Sequence, residues 1–386
     1  MFDLSLQMDV GAAEMSASLK EFFGLVAHGD AGATYKFMKD YVFGQGKVET
    51  LQQITRAEEI GAFVNWDPKD LSKIYPGEDD FRLGELPYSL LASWLDKRSI
   101  ELNINKEKFK FGRRSAEWKK VSSAGFESLK QELVVYDNRD AIRLFDVTDG
   151  GSALSVQPAL YSQQAQTNLI ADYVIKTLAD IGQQRSLRQI LNSENEFVLP
   201  KLNDARLANT LGISVLVLCH DDDGILRPLL QVRDPKTAAM QNSGIHCTGS
   251  KAALWPDATQ TMAVENFFDD EAYASVERDF DLRKEEGLHL YPVALVREHA
   301  RLGKPQLFYF GYTPKPLDTI LKFRLERQKE AEIMRDESMR KYRNLDLDAF
   351  RKLITTDIWE NRGDYKLTHE AYAMLYMMVN VFGVRS

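Results

Sequence analysis

Two apolar runs, 291–298 (YPVALVRE) and 306–313 (QLFYFGYT), are separated by only seven residues, HARLGKP. β-Branched and aromatic residues flanking so short a glycine-containing turn leave the chain little choice but an antiparallel hairpin. Just ahead of it, 272–287 (AYASVERDFDLRKEEG) has the apolar spacing of an amphipathic helix that stops at Gly287. On such a helix Glu277, Asp281 and Glu285 stand four residues apart and line one face, with Glu286 on its flank. Carboxylates stacked this way repel one another. A divalent cation turns that repulsion into binding, because Mg²⁺ takes hard oxygen ligands. The same stripe also reads as an ordinary solvated helix face.

A second hairpin precedes the helix: ISVLVLCH from residue 213, the turn DDDG, then ILRPLLQVRD. An Asp-Gly turn between apolar runs is a strong hairpin signal. NSGIHCTGS follows, with Gly244 and Gly249 in a small polar strand end. Further upstream, AIRLFDV and ALSVQPALY flank an Asp-Gly-Gly turn at 149–151, and TNLIADYVIKTLADIG has helical spacing. Residues 1–125 read as mixed and mainly helical, with candidate helices at 15–27 and 86–95 (LPYSLLASWL). HGDAGAT at 28–34 resembles a phosphate loop only superficially, since it lacks the Gly-Lys-Ser/Thr ending and a preceding strand. The basic run KEKFKFGRRSAEWKK at 106–120 reads as a solvated edge or, less readily, as a nucleic-acid contact. Residues 317–343 carry interleaved charges suited to a surface helix. At the C-terminus Thr368 is placed to cap HEAYAMLYMMVNVFG, whose apolar residues cover more than one face and require burial in the body or against a partner. Four parts result: 1–125, a bridging α+β segment 126–204, the double-hairpin part 205–315, and C-terminal helices 316–386.

Composition narrows the function. A length of 386 residues suits two or three ordinary domains. The formal net charge of −8 disfavours broad binding to nucleic acid or anionic membranes. No run reaches the eighteen or so apolar residues of a membrane span, and the N-terminus does not read as a secretory leader. Cys219 and Cys247 are the only cysteines, too few for a disulfide framework. They read as the thiols of a cytoplasmic protein. With no CxxC and six scattered histidines, a structural zinc site is not expected.

The order of hairpin, strand end, loop, acidic helix closing on Glu-Glu-Gly-Leu, and two strands around an LGKP turn resembles the Nudix fold. That family carries the signature Gly, five residues, Glu, seven residues, Arg-Glu-U-X-Glu-Glu-X-Gly-U, where U is aliphatic. Anchored on Gly287-Leu288, it sets Glu285 on the last glutamate, Asp281 on the glutamate of Arg-Glu and Leu282 on the first aliphatic position. Phe280 stands in place of the arginine and Lys284 in place of the first paired glutamate. Glu265 is one candidate for the loop glutamate. The resemblance covers about 205–315. It implies an α+β fold, a Nudix-like mixed sheet sandwiched by helices, with a mainly helical N-terminal region and C-terminal helices.

The resemblance also implies a Mg²⁺ (or Mn²⁺) site made by Glu277, Asp281 and Glu285, with Glu285 and Glu286 as the catalytic acids. Arg233 and Arg278 would contact the diphosphate, although both also read as surface ion pairs. Two functions stand open. One is a Mg²⁺-dependent hydrolase of a nucleoside diphosphate-linked substrate. The other is a catalytically degenerate Nudix-like domain that senses a nucleotide or binds a protein. In either case the expected partners are a nucleotide-like small molecule and a protein or second copy met through the C-terminal helices, with no membrane.

Overall fold

The computed structural model describes residues 47–50, 74–75, 86–93, 101–132, 138–176, 185–232, 245–256, 267–321 and 367–382. In chain order its early strands are β1 (Lys47–Thr50), β2 (Tyr88–Ser93), β3 (Glu101–Ile104), β4 (Asp140–Thr148), β5 (Ala153–Leu160) and β6 (Tyr173–Lys176). The later ones are β7 (Gly212–His220), β8 (Leu226–Leu229), β9 (Gln231–Val232), β10 (Ile245–His246), β11 (Gly249–Ala252), β12 (His289–Glu298) and β13 (Lys304–Tyr312). The helices are α1 (Ala116–Glu132), α2 (Tyr161–Ala165), α3 (Leu187–Asn195), α4 (Phe267–Phe280) and α5 (His369–Tyr376). The fold is α+β, with mixed sheets and helices.

A six-stranded sheet in the order β11-β7-β13-β12-β2 organises the molecule, with β8 paired to the far half of β7. β13 runs parallel to β7, and the other pairs in this sheet are antiparallel. β7 (GISVLVLCH) is buried along all but its last residue, as a central strand covered on both faces must be. Alternation divides its side chains. Ile213, Val215 and Val217 pack with α4 (Ala272, Val276, Phe280) and with Ile142, Leu144, Leu154 and Val156 of β4 and β5. Leu216 and Leu218 face the other way, onto Ala371, Met374, Leu375 and Met378. The second sheet, β3-β5-β4, is stitched to the first where β4 crosses the beginning of β7. Ile142 N–H donates to the Ala253 carbonyl at 2.9 Å, and Leu211 N–H to the Ile142 carbonyl at 2.7 Å.

The turn between β12 and β13 is the most heavily tied point. Arg188 of α3 grips Asp172 with two hydrogen bonds of 2.5 and 2.8 Å, and also donates to the His299 carbonyl (2.8 Å), the Ala300 carbonyl (2.7 Å) and Tyr75 Oη (2.9 Å). Burial opposes the charge on Arg188, but Asp172 more than offsets it and raises the guanidinium above its ordinary range. Asn168 Nδ2 donates to the Arg301 carbonyl at 3.0 Å, and Arg297 donates to the Pro200 carbonyl. Arg301 reaches Glu298 at 3.3 Å and Glu370 of α5 at 3.4 Å. Residues from 75 to 370 therefore meet at one turn.

Both hairpins form where the apolar runs place them, and Thr368 caps α5 by accepting from the Ala371 N–H at 3.2 Å. Three expectations need correction. Residues 88–93 are not helix but edge strand β2, because the open side of β12 offers a full set of backbone partners. The stretch from Thr167 is not a long helix: Asn168–Ile170 is a single 3-10 turn, followed by β6 paired with β1. There Asn168 spends its side chain on Asn209 and Arg301, which tethers the segment to the turn. The acidic helix ends at Phe280, seven residues before Gly287. Residues 15–27 and 28–34 and most of 317–343 lie outside the described residues. In the basic run, Phe109 is buried against Phe111 and Arg143 stacks on its ring at 4.4 Å, so this aromatic is spent on packing.

Candidate functional site

α4 stops where it does because Phe280 and Leu282 are both buried. Residues two apart point to nearly opposite sides of a helix, so a continuing helix would put only one of them in the core. Asp281 resolves the conflict by turning left-handed at φ 53°, a conformation that aspartate tolerates better than most residues. A separate 3-10 turn, Lys284–Glu286, follows and closes on Gly287 at φ 89°.

Glu277, Asp281 and Glu285 therefore do not share one helix face. Glu277 and Asp281 instead share Arg283, at 3.0 and 3.1 Å. The Asp281 and Glu277 carboxylates raise the Arg283 guanidinium above its ordinary range. Glu286 pairs with Lys315 at 2.6 Å. Glu285 is exposed and pairs with no cation among the described residues. Lys284 places its ammonium 5.5 Å from the centre of the Tyr273 ring. Arg278 forks onto its neighbour Asp279 at 2.7 and 2.8 Å and reaches the Ser250 carbonyl at 3.4 Å. Arg233 lies outside the described residues. Among the described residues no three His, Cys, Asp or Glu side chains are grouped to hold a metal ion. With these ion pairs intact, the acids do not fit a shared Mg²⁺.

A second constellation sits where β11, β7 and β13 begin or end side by side. Gln306 and Ala252 both register with Gly212 across the sheet. Beside them opens a cavity of about 150 Å³ lined by Lys251, Lys304, Arg301, Gln306 and Gln164, with Tyr161 and Ser250 among its other walls. Lys304, Gln306 and Gln164 are buried to 3% exposure or less. Lys304 Nζ donates to Gln306 Oε1 at 2.9 Å, while Gln306 Nε2 donates to Ser214 Oγ at 2.6 Å. Gly212 leaves room for this pair, since a Cβ there would displace the side-chain ends Lys304 Nζ and Gln306 Oε1. The signal was present in the sequence. KPQLFYFGY puts two polar side chains, two residues apart, on one face of an otherwise apolar strand.

Cys219 and Cys247 are both buried, and burial pushes the Cys219 thiol up to about 12. No helix among the described residues is long and apolar enough to cross a membrane.

No protein-family model matches this chain, and no curated protein matches it. Among solved structures, a Nudix hydrolase from M. smegmatis, RenU, aligns over 33% of this chain and 86% of its own length. The identity is 16% and the TM-score 0.20. A likeness of that size leaves the chemistry to the residues themselves.

Proposed function

We propose that the sheet built on β7, β12 and β13 serves a binding module with a catalytically degenerate Nudix-like helix, one that senses an anionic, nucleotide-like molecule. The observation that carries this reading is the end of α4 at Asp281. It separates Glu277 from Glu285 and commits Glu277 and Asp281 to Arg283, beside Phe280 and Lys284, which stand in place of the signature's arginine and first paired glutamate. Loss of a metal ligand removes several kcal/mol of charge stabilisation from a phosphoryl-transfer transition state. A site with these substitutions is better suited to holding a ligand than to turning it over.

The test is incubation of the full chain with Mg²⁺ or Mn²⁺ and ADP-ribose, dinucleoside polyphosphates or nucleoside triphosphates. The expected result is no phosphate-containing product, together with a nucleotide-dependent rise in Tm. A second reading, Mg²⁺-dependent hydrolysis through Glu285 and Glu286, is favoured by the exposure of both acids on the 3-10 turn. Product release that Glu285→Gln abolishes would establish the hydrolase and end the binding-only reading.

A further inference from the structure

We infer that the cavity at the head of β7 and β13 is a binding site for a small oxyanion, a free phosphate or the phosphoryl end of a larger ligand. The inference names the ligand class and so rests on the binding reading above.

The wall chemistry points to an anion. Its charged members are Lys251, Arg301 and Lys304, and no carboxylate among the described residues lines the space. Glutamates outside the lining pair with two of these cations, Lys251 with Glu271 at 2.6 Å and Arg301 with Glu298 and Glu370. Among the neutral polar groups, Gln164 keeps a donor end, while Gln306 is spent within the wall, donating to Ser214 and accepting from Lys304. Gln164 Oε1 is occupied by the Thr210 hydroxyl, which leaves the Gln164 amide N–H₂ as the remaining hydrogen-bonding end of that side chain. Tyr161 and Ser250 add hydroxyls. Charge-assisted donors around a low-dielectric pocket interact with an anion far more strongly than the same donors do in water.

Size and support agree with that chemistry. About 150 Å³ is roughly ten times the ~10–15 Å³ that one water needs, enough for a tetrahedral oxyanion but small for a whole nucleotide. The floor is rigid. Gly212, Ala252 and Gln306 belong to three hydrogen-bonded strands, and the Arg301 backbone is pinned by Asn168. A site preorganised on strands loses little freedom when it is filled. Tyr161, Gln164 and Leu169, from α2 and the 3-10 turn after it, form another wall of the half-open space.

The experiment titrates the full chain, in chloride buffer at constant ionic strength, with inorganic phosphate and separately with ADP, following Tm and calorimetric heat. The expected result is saturable binding of at least one probe, with Tm rising with the logarithm of its concentration. Phosphate binding alone assigns the free ion, and ADP binding without phosphate binding assigns the phosphoryl end of a larger ligand. Binding of neither overturns the inference. Lys304→Met should weaken Kd at least about tenfold, as expected for loss of a charge-assisted contact. Unchanged affinity in that variant also overturns it. Should Lys304→Met not fold, the half-buried Lys251→Met serves instead, and unchanged affinity there counts equally against the site. Hydrolysis products are assayed in the same tubes. Turnover would sink the binding-only reading while leaving the cavity result intact, and a Tm rise with ADP-ribose or a nucleoside triphosphate but with neither phosphate nor ADP would sink the cavity alone.

Discussion

The β12–β13 turn and the acidic segment after α4 both concentrate charge, and they use it in opposite ways. At the turn, Arg188, Asp172, Arg301, Glu298 and Glu370 are each below 10% exposed and pair among themselves, and Arg188 also donates to two backbone carbonyls. Past α4, Glu277, Arg283, Lys315 and Glu286 pair at the surface, where water competes for every contact. A buried ion pair that is fully satisfied fixes a geometry, because breaking it strands a charge. A surface pair can exchange partners at little cost. The turn thus holds the molecule together, whereas the acidic segment keeps its side chains replaceable.

That contrast can be broken by substitution. Arg188→Met removes the guanidinium that pairs with buried Asp172 and withdraws a donor from the His299 and Ala300 carbonyls, and should cost about 3–5 kcal/mol in urea unfolding. If it costs less than about 1 kcal/mol, the turn is no anchor. Pairing it with Asp172→Leu should recover much of the loss, which separates the stranded charge from lost packing. Thr368→Ala removes the cap that presents Glu370 to Arg301, and is expected to cost about 1 kcal/mol by the same measurement. Arg283→Gln should leave the urea midpoint unmoved at low and at high salt. A clear drop there would show that the acidic segment is structural too.

Much of this architecture was legible in the chain, and the failures have physical causes. β7, β12 and β13 declared themselves because continuous apolar runs and short turns are local signals. β2 did not, since LPYSLLASWL satisfies helical spacing and only the free side of β12 made it a strand. The end of α4 was misplaced because Gly287 is a stop signal, and a real left-handed turn, yet the burial of Leu282 ends the helix earlier. Core demand outweighed the local signal. With the helix went the single face that was to gather Glu277, Asp281 and Glu285. Lys304 and Gln306 were passed over because a polar pair inside an apolar strand looks like noise until Gly212 is seen beneath it.

The place of β2 has a practical consequence. It seals the outer side of β12, from Tyr88 beside Glu298 to Ser93 beside Ala294. A chain trimmed to begin near residue 205 would bare that side, leaving a row of unsatisfied amides and carbonyls next to apolar side chains. Such a border recruits strands from other molecules. A shortened version is therefore expected to clump in solution even if its own sheet assembles, and biochemistry on this protein is best done with the first hundred residues attached.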